Sequence, residues 1–284
     1  MEDNRELRIQ VTTKNKFPRL YAPDLFAENK TEMSIDTAVA VAKAAVAAGY
    51  KRIRLTGGEP MEHSRILDLV KAVREVEGIE RLSMTTNGTL FPGKAKDLKE
   101  AGLDSVDVLL DTYSEEKFIY ITGGAPIDET MDALEAGVRL GMKPTRIQAT
   151  IIEGLNDADI LNFGQFTLNE PVDVIFLERE NVGEAAKGED GKKTRFMSTE
   201  EVKKKFKGMV KIPVQDPLIE YGKWYEGQGR IGFIDLERAA QAGEEVTAAG
   251  MLKKSLRDED PADIREAVAS NDPAQIQTAL EENL

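Results

Sequence analysis

Cysteine is absent from all 284 residues, which excludes disulfides, Cys-ligated zinc and Cys-ligated iron–sulfur clusters together. Histidine occurs once, at His63, so a histidine-rich metal site and an imidazole relay are excluded too. There is no apolar run of eighteen residues, and the N-terminus MEDNRELRIQ is charged where a signal peptide is apolar. Neither a membrane span nor export is indicated, and the cytoplasm is the expected compartment. Positive charge is in deficit, with Lys+Arg 38 against Asp+Glu 51 and a net charge of −13. Such a field repels phosphate backbones and anionic lipid, which argues against a nucleic-acid or membrane partner. A small-molecule ligand held in a local basic pocket remains compatible, and self-association or a pathway protein partner is left open.

What is present suffices for a large core: 41% of the residues are hydrophobic and no low-complexity block interrupts them. Through the first 180 residues an amphipathic helix repeatedly ends at a glycine and is followed by a short β-branched run. Ser34 is placed to cap a helix with Ile35, Val39, Ala42 and Val46 on one face, Gly49 to end it, and Ile53 to Leu55 to form the next strand. The unit recurs through Arg81 to Thr85, Ser105 to Leu110, Arg146 to Ile152 and Val172 to Glu178. With Leu7 to Val11 this predicts six strands separated by helices. The fold class is therefore α/β, a partial (β/α)6 TIM-like barrel over residues 1–180, with functional residues expected just after strand C-termini.

From Glu180 the pattern breaks into NVGEAAKGEDGKKTR, and residues 181–199 are expected to be a mobile loop. Residues 200–284 form an extension that closes the barrel, with a Lys-rich helix at Lys203 to Lys205 and strands at Met209 to Val214 and Arg230 to Ile234. Pro261 and the pair Asp272 and Pro273 suit helix starts. Trp224, with Tyr221 and Tyr225, reads as a packing group.

Three segments carry candidate chemistry. Thr56-Gly57-Gly58-Glu59-Pro60 follows the second strand, and its glycines let backbone approach a ligand. Thr85-Thr86-Asn87-Gly88 follows the third strand and Asp111 the fourth. Each alone is equally a turn or cap; their shared placement at strand ends makes them a candidate rim.

The run RIRLTGGEP, MTTNG, AGLDSVDVLLDT, ITGG, RIQATIIEGLND and FLE, continuing through GRIGFID and VTAAGMLKKSL, resembles in order and spacing the radical S-adenosylmethionine (SAM) family that converts GTP in molybdenum-cofactor synthesis. The resemblance spans roughly positions 7 to 270. It implies a SAM-binding barrel of the radical SAM type, with SAM at Gly57, Gly58, Glu59, Thr86, Asn87, Asp111, Arg146 and Gln148, and Arg8 and His63 on the substrate side. The departures are equally specific. The family's N-terminal CxxxCxxC loop falls on Asn15, Arg19 and Ala22, and its C-terminal cysteines on Arg238, Gln241 and Ser255. None supplies a thiolate, so no iron–sulfur cluster and no other metal is expected. Two GTP-binding arginines fall on Gly243 and Glu245, Leu110 stands for a Ser, and Ile175 for an Arg. His63, where the family has Arg, reads most simply as a solvated or capping residue. The expected function is binding of SAM or a related nucleoside with, if catalytic, polar methyl or aminocarboxypropyl transfer. The alternative is a non-catalytic pseudoenzyme that partners or regulates a cofactor pathway.

Overall fold

The computed structural model describes residues 5–21, 30–180, 194–213, 216 and 218–283. Six strands alternate with helices: β1 Glu6–Gln10, β2 Arg52–Thr56, β3 Arg81–Thr86, β4 Ser105–Leu109, β5 Thr145–Ala149 and β6 Val172–Leu177. Between and after them run α1 Ile35–Ala47, α2 Ile66–Arg74, α3 Ala95–Glu100, α4 Glu115–Thr122, α5 Ile127–Arg139 and α6 Ile160–Asn169. All six strands pair in parallel in sequence order, the arrangement expected of βα units.

The remaining chain contributes α7 Thr199–Lys203, β7 Val210–Ile212, β8 Glu220–Lys223, β9 Ile231–Ile234, α8 Leu236–Gln241, β10 Glu245–Val246, β11 Met251–Lys253, β12 Ala262–Asp263, α9 Arg265–Ser270 and α10 Pro273–Asn283. It feeds both edges of the curled half-barrel, whose 12-stranded order is β12-β11-β10-β1-β2-β3-β4-β5-β6-β9-β8-β7. β10 joins β1 in parallel and β9 joins β6 in parallel. The outer strands β11, β12, β8 and β7 are antiparallel additions. Pro261 precedes the two-residue strand β12 rather than opening a helix, whereas Pro273 does open α10. Among the described residues no helix is long and apolar enough to cross a membrane.

Side-chain alternation sorts each strand into two faces. Leu7, Ile9, Ile53, Leu55, Leu82, Met84, Val106, Val108, Ile147, Val174 and Phe176 are buried against the helices. The opposite face is polar and points into the half-barrel: Arg8, Arg54, Asp107, Arg146 and Asp173 come from five different strands. The inner face therefore holds charges that must find partners, because a buried unpaired charge is costly.

Ser34 caps α1 by accepting from the Thr37 amide. The helix buries Ala38, Ala40, Val41, Ala42, Ala44 and Ala45, and its small side chains let α10 lie across it with Ile276 and Leu280 inside. Of the expected loop, residues 181–193 lie outside the described residues. Residues 194–199 are held in place: Phe196 is buried and bridges Ile152, Arg195 pairs with Glu153 and Glu201, and Ser198 and Glu201 form a capping box.

Candidate functional site

The C-terminal ends of β2, β3 and β4 meet under the segment from Thr12 to Tyr21. The turn after β2 lies against that segment. Gly58 N donates to Thr12 O at 2.8 Å and Glu59 N to Lys14 O at 2.6 Å. A Cβ on Gly57 would stand 2.7 Å from Thr12 O, and one on Gly58 2.4 Å from Lys14 O. The glycines are thus required by the chain's own backbone, which fills the approach expected for a ligand.

Glu59 is 1% exposed and fully engaged. Its Oε1 accepts from Thr86 Oγ1 at 2.6 Å and Met61 N at 3.0 Å, and its Oε2 from Asn87 N at 2.6 Å. Burial pushes this carboxyl up to about 7 despite those donors. Asn87 Oδ1 accepts from both the amide and the hydroxyl of Thr89. That fixes the amide's orientation and leaves the buried Nδ2 with no hydrogen-bond partner. Glu59, Thr86 and Asn87 form one polar node.

Asp111 forms a second node. Arg19 Nε donates to its Oδ2 at 2.6 Å and Tyr21 Oη to the same oxygen at 2.7 Å, while Thr150 N donates to Oδ1 at 2.8 Å. Arg19 also donates from Nη2 to Leu109 O at 2.7 Å and is 6% exposed. Burial works against the charge on Arg19, but the Asp111 carboxylate outweighs it and raises the guanidinium's pKa, with a further contribution from Glu59. The side chain at one of the three cysteine-aligned positions therefore pairs with a rim carboxylate. Nothing in the sequence pattern around Arg19 announced this role. Asn15, another such position, donates to Gly58 O at 3.3 Å. Ala22, the third, lies outside the described residues.

Arg146 and Gln148 do not join this rim. Arg146 is the second residue of β5, in register with Asp107 and Asp173 deeper in the half-barrel. Its Nη1 lies 3.7 Å from Asp107 Oδ1, and its Nε has no hydrogen-bond partner. Gln148 Nε2 donates to Asp107 Oδ2 at 2.7 Å. Asp107 also meets Arg54 Nη1 at 2.8 Å, and Arg54 Nε meets Glu6 at 2.6 Å. Burial pushes Glu6 up, but Arg54 outweighs it and holds the carboxyl down at about 2. The inner cations Arg146 and Arg8 are thus paired with the inner carboxylates Asp107 and Glu245. Arg8 stands opposite Glu245.

Of the solvated and capping roles expected of His63, burial excludes the first, while its Nδ1 takes up a backbone amide just before α2. His63 is 4% exposed, Nε2 lies 2.9 Å from Met33 O, and Nδ1 accepts from Arg65 N at 3.1 Å. With Nδ1 accepting, Nε2 carries the proton, and both nitrogens tie the turn to neighbouring backbone. Trp224 packs on Phe206 with ring centroids 5.3 Å apart and donates to Lys207 O, as expected of a packing group. The C-terminal cysteine-aligned residues are also engaged: Arg238 with Asp235 and Glu220, Gln241 with Glu237, and Ser255 with the Arg257 amide. Among the described residues no group of three or more His, Asp or Glu side chains could hold a metal ion. The cluster that the resemblance implies does not fit these residues: its loop carries Asn15 and Arg19 in hydrogen bonds, and no thiolate exists anywhere in the chain.

The family model of the Radical SAM superfamily matches residues 21–167. GTP 3′,8-cyclase of Alkaliphilus oremlandii is 33% identical over 261 residues, 89% of this chain and 79% of that protein. The enzyme of the same name from Syntrophomonas wolfei is 30% identical over 275 residues, 92% of this chain and 83% of that protein. Among solved structures, Streptococcus suis SuiB bound to S-adenosylmethionine superposes with a TM-score of 0.68 at 14% identity, over 93% of this chain and 64% of SuiB. Methylornithine synthase PylB gives 0.52 at 18% identity, over 61% of this chain and 52% of that one. The chain thus spans less than two thirds of either structure, and at these identities the likeness is one of fold. Sequence match and sheet order agree: this chain belongs to the radical SAM superfamily, alongside the GTP 3′,8-cyclases.

Proposed function

We propose that this chain is a radical-SAM-fold protein that binds SAM or a related nucleoside at the mouth formed by β2, β3 and β4, without reductive cleavage. The observation that supports this most directly is the Glu59–Thr86–Asn87 node, whose one buried unpartnered donor, Asn87 Nδ2, lies at the strand ends. An unmade hydrogen bond there leaves the amide unsatisfied until an acceptor, such as a ribose hydroxyl or a carboxylate, reaches it. Reductive cleavage needs an electron donor that these residues cannot hold. SAM itself supplies, when bound, a sulfonium whose C–S bond a nucleophile's lone pair can break, leaving a neutral thioether. Arg146 lies beside Asp107, so the ligand's carboxylate is not assigned to Arg146.

A second reading, a non-catalytic partner of the pathway, is favoured by the pair of Arg19 and Asp111, because a carboxylate at the mouth is already neutralised by the chain. Calorimetry with SAM, S-adenosylhomocysteine and GTP, followed by mass spectrometry of any SAM product, separates the two. Saturable SAM or S-adenosylhomocysteine binding supports the first reading. Absence of binding at millimolar ligand shifts the assignment to the second.

A further inference from the structure

The segment from Thr12 to Tyr21 crosses the mouth and is tied down on both sides. On the β2 side, Thr12 O and Lys14 O accept from Gly58 N and Glu59 N, Asn15 reaches Gly58 O, and Lys16 N donates to Glu62 Oε1 at 2.6 Å. On the β4 side, Arg19 and Tyr21 hold Asp111, and Leu20 N donates to Ile121 O in α4 at 2.8 Å. β3 lies between β2 and β4 in the sheet, so its end, with Thr86 and Asn87, falls between the two anchorages. The asymmetry of the anchors is informative. Two of the four on the β2 side are backbone-to-backbone and need the glycine turn. On the β4 side one buried guanidinium spends two donors, on Asp111 and Leu109, beside the Tyr21 hydroxyl and the Leu20 amide. A ligand with a cationic ammonium or sulfonium group would seek the same carboxylate.

We infer that Arg19 is an autoinhibitory plug: its guanidinium occupies the place at Asp111 that a cationic adenosyl ligand would take, and the site opens only when Arg19 leaves. This rests on the nucleoside-binding reading and adds its regulation. The contact is reversible by construction. A ligand that brings its own cation exchanges one ion pair for another and leaves no buried carboxylate bare. The apparent affinity of the resting protein is then lowered by the fraction of molecules in which the plug is in place.

The test is calorimetric titration of S-adenosylhomocysteine, whose ammonium is the cation that would meet Asp111, into the wild type and the Arg19→Met variant. Hydrogen exchange over residues 12–21 is measured on the same samples. If Arg19→Met alone fails to fold because Asp111 is left unpaired, Arg19→Met combined with Asp111→Asn removes the charge together with its partner, and the probe is then adenosine. The plug predicts faster exchange in the segment and at least tenfold tighter binding in the opened protein. Equal affinity in the wild type and a variant whose segment exchanges faster overturns the plug and leaves nucleoside binding standing. No binding in either protein overturns both. Unchanged exchange in a folded variant shows that Arg19 does not hold the segment, and overturns the plug alone.

Discussion

Arg8 and Glu245 are register partners on the neighbouring parallel strands β1 and β10, with Arg8 Nε 3.6 Å from Glu245 Oε2. Thr56 Oγ1 donates to the same carboxylate oxygen at 2.6 Å. The family resemblance sets a GTP-binding arginine at position 245, so the change to glutamate does more than remove a cation. It places an anion against the arginine that remains, and Arg8 is spent on the protein itself.

GTP should accordingly bind more weakly than SAM. Glu245→Arg should strengthen GTP binding by roughly ten- to hundredfold, the worth of one or two charge-assisted hydrogen bonds. Side-by-side titrations of the wild type and the variant at physiological salt check this. An unchanged GTP affinity in a folded variant would show that the pair of Arg8 and Glu245 does not govern the inner site.

Asp107 joins Arg54, Arg146 and Gln148 inside the half-barrel. Asp107→Ala should cost about 3–5 kcal/mol, because buried cations lose their counter-charge. The exposed pair of Arg65 and Asp68 is the control, and its removal should change stability by no more than about 0.5 kcal/mol. Urea unfolding of both variants measures the contrast, and equal losses would contradict a buried network.

Glu59 carries a pH dependence whose sign follows from its raised pKa of about 7. Between the unfolded value near 4.5 and about 7, the folded state holds a proton that the unfolded state has released. The stabilisation is therefore full below the lower value, falls as pH rises through the window, and is lost above the upper one. The swing from this group is about 2–4 kcal/mol. Thermal unfolding from pH 4 to 8, compared with Glu59→Gln, isolates it. A wild-type curve parallel to that of the variant would remove Glu59 as the source.

Iron and sulfide should not assemble on this protein. Anaerobic reconstitution followed by desalting should leave no stoichiometric iron and no charge-transfer absorbance, because no cysteine is available. Retained iron with that absorbance would contradict the assignment.

α10 should be a structural requirement rather than a tail. Leu280 is fully buried against the core, and Leu280→Ala should cost about 2–5 kcal/mol. Denaturant midpoints report it, and a loss below about 1 kcal/mol would mean that α10 is loosely docked.

Much of the half-barrel was legible in the chain. Glycine-terminated helices and β-branched runs locate β1 to β6 to within a residue or three of their observed ends, because alternation and helix punctuation are local properties. Ser34 and Pro273 mark helix starts for the same reason. The short strands β8, β10, β11 and β12 were not legible. Two to four residues carry no periodicity, and such strands exist only because a neighbouring edge offers hydrogen-bond partners: β9 for β8, β1 for β10, β10 for β11 and β11 for β12. Pro261 misleads in the same way, since its local preference suits either a helix start or the entry to an edge strand.

The candidate site divides along the same line. The sequence by itself determined that no cysteine-held cluster can form, and it located Gly57 to Glu59, Thr86, Asn87 and Asp111 at strand ends, because composition and strand order are one-dimensional facts. Only the tertiary structure decided that Arg146 lies below the mouth on Asp107, that His63 is buried between backbone groups, and that Arg19 reaches Asp111. Those outcomes depend on which charges meet across the half-barrel. A buried arginine is stable only beside a carboxylate, and the carboxylate that Arg19 pairs with is 92 positions away in the chain, out of reach of any local pattern.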